Sequence, residues 1–403
     1  MFLQVIRIRN LLSFGPDAPE IELKPLNVVI GPNASGKSNL IEAIDLLRSS
    51  ARDLTEPIRL GGGIYDWLWK GSEQPPVAEI DAVFANPKNR IPLRHRLSFA
   101  AEGQRFFLID EAIENAEPAG EGYPDVYFYY RFKRGKPVAL VPSQKQDGTD
   151  GGTTRMRREL KPEDVSPNQS ILSQRLDPDS YPEITYLATQ YLRIKLYREW
   201  SFGRAAEPRR PQKTDLPHDA LLEDATNLAL VLNHLELKPG SRESLLEALK
   251  RIHPSVVDFT VVFESGTVQL HFYEEGLKHS VPATRLSDGA LHYLCLLAIL
   301  CHPSPPPLIC IEEPEIGLHP DMLPGIADLL ISASKRTQIV VTTHSPVLVD
   351  AFTSHPEYVL VCEKHGGSTE FTRLSRNELE KWLKDYASLG DLWTQGQIGG
   401  TRW

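Results

Sequence analysis

The sequence is sparing with residues that would place it in several large classes. Its 403 residues include only four cysteines, Cys295, Cys301, Cys310 and Cys362, with no C-x-x-C pair and no metal-ligand spacing. A disulfide framework is excluded, and the four read as small buried apolar residues in a reducing compartment. No apolar run approaches the roughly eighteen residues of a membrane span. The start, MFLQVIRIRN, alternates like a strand and lacks the apolar core of a signal peptide, so a cytoplasmic protein is expected. Basic excess is missing too. A net charge of -9 argues against a broad nucleic-acid-coating surface and leaves open only a local basic groove. No heptad pattern is sustained, which excludes a long coiled-coil arm, and no internal repeat is visible. What remains is ordinary globular material, 41% hydrophobic and 24% charged, enough for two domains or one large domain with insertions.

One stretch organises the rest. Residues 26–40 read LNVVIGPNASGKSNL, a short apolar run followed by a match to G-x-x-x-x-G-K-[ST] and then by helical spacing of Leu40, Ile41, Ile44, Leu46 and Leu47. Gly31 and Gly36 let the backbone turn tightly around Pro32, Asn33, Ala34 and Ser35, so that successive N–H groups of the loop point inward at phosphate oxygens. The helix that follows through Asn39 adds the positive end of its dipole. Lys37 reaches the β- and γ-phosphates, and the Ser38 hydroxyl is a Mg²⁺ ligand. Strand before and helix after are the required context. The expected ligand is a nucleoside triphosphate.

Downstream, Gly61, Gly62 and Gly63 precede Tyr65, Trp67 and Trp69, whose alternation predicts one packed face of a strand; base stacking is the other option. AEIDAVFA, LRHRLSFA, RFFLIDEAI and VYFYYRF, between residues 78 and 141, predict an antiparallel meander. Residues 142–169 read as a long exposed loop carrying Arg155, Arg157 and Arg158. A second basic cluster, Arg204, Arg209, Arg210 and Lys213, lies in another Pro-rich loop, and both clusters read as solvated charge. Helical spacing recurs over 220–235 and 242–252, and 256–263 with 267–273 predicts a hairpin.

Four further signals come late and in order. Ser287, Asp288 and Gly289 offer a hydroxyl and backbone N–H groups ahead of an apolar helix, which alone would be an ordinary N-cap. An apolar strand from Leu308 ends in Glu312 and Glu313, followed by Pro314 and Glu315. If parallel to 26–30, it delivers both acids beside the phosphate loop, Glu312 to hold Mg²⁺ and Glu313 to orient and deprotonate water. The turn IGLHP at 316–320 comes next, and a strand from Gln338 ends at His344, placed to hydrogen-bond a γ-phosphate oxygen.

In these motifs the sequence resembles ABC-type ATPases of the RecF/SMC group, most nearly its compact bacterial P-loop (AAA-family) members, which carry I-E-E-P-E-x-x-L-H-P. The resemblance covers residues 1–54 and 280–361, and less distinctly the tail from Ser388. It implies an α/β head of P-loop NTPase type, a mixed sheet flanked by helices with an antiparallel β subdomain and an inserted helical lobe. Residues 1–141 would be the first half of the ATPase domain, 142–255 the insert lobe and 256–403 the second half. Residues 31–39 become the phosphate loop, 286–289 the signature, Glu312 and Glu313 the acids, and His344 the switch. It further implies a head-to-tail homodimer trapping ATP between one subunit's phosphate loop and the other's Ser287, Asp288 and Gly289.

Two residues depart from that pattern. Asp288 makes the signature L-S-D-G instead of L-S-G-G, and the acid pair is Glu-Glu instead of Asp-Glu. Gln190 is the candidate for a Q-loop glutamine. No N-K-x-D motif is present for guanine reading, and the 59 residues after His344 are too few for a nuclease domain. The expected activity is ATP hydrolysis driving a switch, in phage defence or DNA maintenance. The alternative is a slowly hydrolysing scaffold that regulates a protein effector, with DNA at most a weak partner and no membrane.

Overall fold

Three strands open the chain, β1 (Leu3–Arg9), β2 (Ile21–Glu22) and β3 (Leu26–Ile30), and the helix α1 (Lys37–Ser49) follows. The structure, a computed structural model, describes residues 1–87, 90–118, 125–133, 135–142, 155–161, 163, 165–201, 203–238, 240–251, 254–379 and 388–399. The chain divides into two units. Residues 1–24, 31–194 and 362–372 form the first, and residues 25–30, 195–361 and 373–403 the second.

The first unit is built on an eight-stranded sheet in the order β2-β1-β4-β5-β6-β7-β8-β9, whose added strands are β4 (Ala78–Phe84), β5 (Leu93–Glu102), β6 (Arg105–Asn115), β7 (Phe128–Lys133), β8 (Lys136–Pro142) and β9 (Arg155–Glu159). Every pairing is antiparallel, so the meander expected from the alternating runs is present. Period-two alternation buries Ile80, Ala82, Leu97, Ile113 and Tyr130 and leaves Arg131 and Lys133 exposed on the other face. The buried carboxylate of Glu111 accepts from the Ile171 N–H at 3.0 Å and lies 3.2 Å from His95 Nε2, which satisfies a charge that burial would otherwise penalise. Short helices α2 (Glu56–Leu60), α3 (Ile64–Trp67) and α4 (Ile171–Gln174) and the longer α5 (Pro182–Leu192) complete this unit.

Two expectations fail here. Tyr65 and Trp67 lie on α3, one helical turn that buries Trp67 and exposes Tyr65, so their alternation does not mark a strand. Residues 155–159 of the expected loop pair with β8 as an edge strand, and Leu160 and Val165 are buried; residues 143–154 lie outside the described residues.

In the second unit a parallel sheet runs in the order β10-β15-β16-β3-β17. The strand β10 (Lys195–Tyr197) comes first, then β11 (Gln212–Lys213), β12 (Val256–Glu264), β13 (Thr267–Glu274) and β14 (Val281–Pro282) form a small antiparallel sheet. β15 (Leu308–Glu312), β16 (Gln338–Thr342) and the first residues of β17 (Val359–His365) complete the strands of this unit, whereas the rest of β17 and nearly all of β18 (Ser368–Arg373) fall in the first unit. β12 and β13 are the hairpin expected around Glu264–Gly266, with Phe259 opposite Phe272. β3 and β16 are buried at every residue, as strands covered on both faces must be.

The helices described here are α6 (Leu228–Glu236), α7 (Ser241–Lys250), α8 (Asp288–Leu300), α9 (Leu323–Ser334), α10 (Pro346–Asp350), α11 (Arg376–Leu379) and α12 (Leu389–Thr394). α8 is apolar all round, which marks a helix without a solvent face, and it buries every residue from Leu291 to Leu300. The first expected helix is shorter than its pattern, because residues 220–227 form turns tied by Asn227 Nδ2 to the Pro217 and Ala220 carbonyls. None of the four cysteines is in a disulfide, and burial raises three of the thiols, Cys295 to about 12 and Cys301 and Cys362 to about 11. Among the described residues no helix is long and apolar enough to cross a membrane.

Candidate nucleotide site

In the first unit the phosphate loop is held by its own glycines and by a small polar layer. Gly31 (φ +153°) and Gly36 (φ +112°) both lie where L side chains strain. A Cβ on Gly31 would collide with the Cys362 carbonyl oxygen, and one on Gly36 with the hydroxyls of Thr369 and Ser13. Ala34 takes a left-handed φ of +62° without that freedom, at a cost of order 1 kcal/mol. Thr369 Oγ1 lies 2.6 Å from both the Ser35 carbonyl oxygen and Ser13 Oγ, and Asn39 Nδ2 donates to Ser13 Oγ at 2.7 Å. Ser13 and Thr369 therefore fix the loop. Neither carries a sequence signal, and they are 356 residues apart.

Lys37 is buried, its Nζ donating to the carbonyls of Gly31 (3.0 Å) and Pro32 (2.9 Å). The ammonium is thus drawn over the loop instead of out to water. Asn33, Ala34 and Ser38 are exposed. The first turn of α1 has neither an acidic residue nor a side-chain cap, so its positive end is open to an anion.

In the second unit β15, β16 and β3 align in parallel, Glu312 opposite Thr342 and Thr342 opposite Val29. The acid strand is thus parallel to β3, as the sequence reading supposed, with β16 between the two. The return through α9 inserts β16 there. C-terminal ends of parallel strands are where such sheets bind ligands, and here β15 ends in the acids and β16 leads into His344. Glu313 has a left-handed φ of +47°, and its N–H donates to the Thr342 carbonyl at 2.9 Å. That kink brings its Oε1 to 3.9 Å from His344 Nε2.

Three residues that the sequence reading gave no role define this cluster. Glu315 Oε1 accepts from Thr343 Oγ1 (2.6 Å) and from the His344 N–H (2.8 Å), and burial raises its carboxyl above the ordinary range. Arg198 Nε donates to Glu312 Oε1 at 3.0 Å, and Trp200 Nε1 to the Glu312 carbonyl at 2.9 Å. Both follow β10, the strand beside β15, and only that pairing brings them to the acid.

The turn at 286–289 also belongs to the second unit. Ser287 caps α8, its Oγ accepting from the Ala290 N–H at 3.1 Å. Asp288 pairs with Arg209, which is buried; the solvated role expected for Arg209 is wrong, whereas Arg204, Arg210 and Lys213 are exposed. A Cβ on Gly289 would stand 2.6 Å from the Gly317 carbonyl oxygen, so only glycine lets α8 approach the turn that follows the acids. His292 Nδ1 lies 2.7 Å from the Ile316 carbonyl oxygen, and its ring meets Trp200 with centroids 4.0 Å apart. Burial pushes the His292 imidazole down to about 4, so it is neutral at pH 7 with its proton on Nδ1. Gln190 sits near the end of α5 in the first unit.

A family model described as "AAA domain, putative AbiEii toxin, Type IV TA system" matches residues 26–350. No curated protein matches by sequence. Among solved structures, an SmcHead bound to the C-winged helix domain of ScpA is 16% identical with a TM-score of 0.56, over 94% of this chain and 99% of that one. The Smc head domain with an extended coiled coil, bound to the C-terminal domain of ScpA and derived from Pyrococcus furiosus, is 14% identical with a TM-score of 0.54, over 95% and 99%. At those identities the likeness is one of fold, an SMC-head-like α/β fold.

Proposed function

The chain belongs to this AAA domain family, and on that premise we propose that it binds ATP through residues 31–39 and hydrolyses it with Glu313 as general base. The observation that carries the proposal is the phosphate loop, with both glycines at φ values that favour glycine, a buried lysine and an uncapped helix start. Gly31, Asn33, Ala34, Ser35 and Gly36 would wrap the phosphates with backbone N–H groups, with Pro32, which has none, shaping the loop, and Lys37 would exchange its two carbonyl partners for phosphate oxygens. Glu313, kinked out of β15, would take a proton from the attacking water while His344 holds the γ-phosphate by hydrogen bond.

The Ser38 hydroxyl and the Glu312 carboxylate are hard oxygen donors of the kind Mg²⁺ takes, and these two would hold it. Bound there, the ion would neutralise phosphate charge. Ser287, Asp288 and Gly289 of a second copy would complete the site in a head-to-tail homodimer, and ATP turnover would switch that dimer in the cytoplasm. The role proposed for that switch is in phage defence or DNA maintenance. A slowly hydrolysing scaffold is the second proposal, favoured by the Arg198–Glu312 ion pair, which competes with a metal for Glu312 Oε1.

Two substitutions separate binding from chemistry. Lys37→Ala abolishes or greatly weakens ATP binding in a folded protein, measured by calorimetry. Glu313→Gln binds ATP and keeps the dimer while turnover falls roughly a hundredfold or more. Unchanged affinity in Lys37→Ala removes the nucleotide site, and normal turnover in Glu313→Gln with a dead Glu312→Gln reverses the two acids.

A further inference from the structure

Arg209 closes the 3-10 turn Glu207–Arg209, and its guanidinium runs inward, leaving the residue 9% exposed. Nε donates to the Gly203 carbonyl at 3.2 Å, and Nη1 donates to the carbonyls of Thr284 (3.2 Å) and Leu286. Nη2 donates to Asp288 Oδ1 at 2.5 Å, and the same oxygen accepts from the Gly203 N–H at 3.0 Å. One side chain thus grips the backbone before the 286–289 turn and the carboxylate within it. Carbonyls satisfy the guanidinium's N–H groups but leave its charge uncompensated in a largely dry place. Asp288 supplies the counter-charge. It stands on the first residue of α8, where the helix dipole also favours an anion.

We infer that Arg209 and Asp288 are a matched pair of positioning residues for the 286–289 turn, with the Asp288 carboxylate turned to Arg209 and not to nucleotide. The inference rests on residues 287–289 serving ATP turnover, as proposed above. It has an unexpected consequence. A glycine at position 288, which would write the turn as L-S-G-G, damages this chain because it strands a buried cation beside the signature.

The test uses the full chain and four variants: Asp288→Gly, Asp288→Asn, Arg209→Met and the double Arg209→Met/Asp288→Gly. Steady-state ATP hydrolysis gives kcat and KM, and amide hydrogen exchange follows residues 283–290. Asp288→Gly lowers kcat about tenfold or more with KM within about threefold, the split expected when turnover geometry and not phosphate-loop binding is lost. Asp288→Asn, which keeps an Oδ1 acceptor for both donors, retains more activity than Asp288→Gly. The double variant loses clearly less than the product of the two single losses, because the aspartate acts largely through the arginine and keeps only its Gly203 N–H bond and its helix-end position apart from it. Exchange over 283–290 accelerates in both Asp288→Gly and Arg209→Met.

Losses that multiply in the double variant, an Asp288→Gly protein as active as wild type, or unaltered exchange overturn the pair. If Arg209→Met does not fold, the ranking of asparagine above glycine at 288 decides. If the wild type shows no turnover, accelerated exchange upholds the clamp and it is the ATPase proposal that falls.

Discussion

Removing the Glu315 side chain tests whether the end of β16 is held where a switch histidine needs it. In the structure Glu315 Oε1 is the shared acceptor for Thr343 Oγ1 and the His344 N–H. Glu315→Ala leaves both donors without that partner in a largely buried place. At about 1–3 kcal/mol for each orphaned donor, the loss is about 2–6 kcal/mol, a large part of a domain's net stability. Glu315→Gln keeps a carbonyl oxygen at the acceptor position and costs about 1 kcal/mol or less at pH 7. Urea unfolding of wild type and both variants reads these numbers directly.

The pH dependence adds an independent sign. Burial raises the Glu315 carboxyl, so the folded state binds its proton more tightly than the unfolded chain. That contribution is fully present below the ordinary glutamate value and is lost as pH rises through the raised folded value. Wild type therefore gains stability on Glu315→Gln as pH falls from neutrality. ATP turnover follows the same order, with Glu315→Gln well above Glu315→Ala. A glutamine as costly as alanine, or an alanine costing under about 1 kcal/mol, refutes the argument.

Two other expectations test surfaces. Mixing a Lys37→Ala subunit with a Ser287→Arg subunit rebuilds one intact composite site per mixed dimer. ATPase activity, or occlusion of one nucleotide per dimer, returns in the mixture although each parent is inactive; mixed dimers shown by two affinity tags to form without either gain refute action in trans. The expected DNA binding is at most weak, salt-sensitive and indifferent to sequence. It centres on the groove of about 450 Å³ lined by Phe128, Arg131, Lys133, Lys136, Val138 and Arg157, so Lys133→Glu/Lys136→Glu weakens it and lowers the salt slope by about 1 to 2. Sub-micromolar, sequence-specific binding at physiological salt contradicts this.

How much was legible in the chain follows from how local each determinant is. The proposed phosphate loop is a contiguous run whose glycines answer to their own backbone, with φ of +153° at Gly31 and +112° at Gly36, so the tight turn was legible without tertiary knowledge. The meander and the hairpin were legible for the same reason, since period-two burial is written along each strand. Tyr65 and Trp67 misled because two residues at alternate positions fit one turn of helix as well as a strand. The order of β15, β16 and β3 was out of reach, being set by how the α9 crossover packs and not by any strand's own residues.

Burial of charge was the hardest property to read. Arg204, Arg209, Arg210 and Lys213 look alike in a Pro-rich loop, yet only Arg209 meets three carbonyls and a carboxylate, supplied by residues from Gly203 to Asp288. Arg198 and Glu312 are likewise joined only because β10 pairs with β15. A charged side chain reveals its partner in sequence when the pair lies within a helical turn, as Asp45 and Arg48 do. Where the partner comes from another element, the local pattern says "solvated", and two such pairs, Arg198–Glu312 and Arg209–Asp288, stand at residues proposed to serve the chemistry.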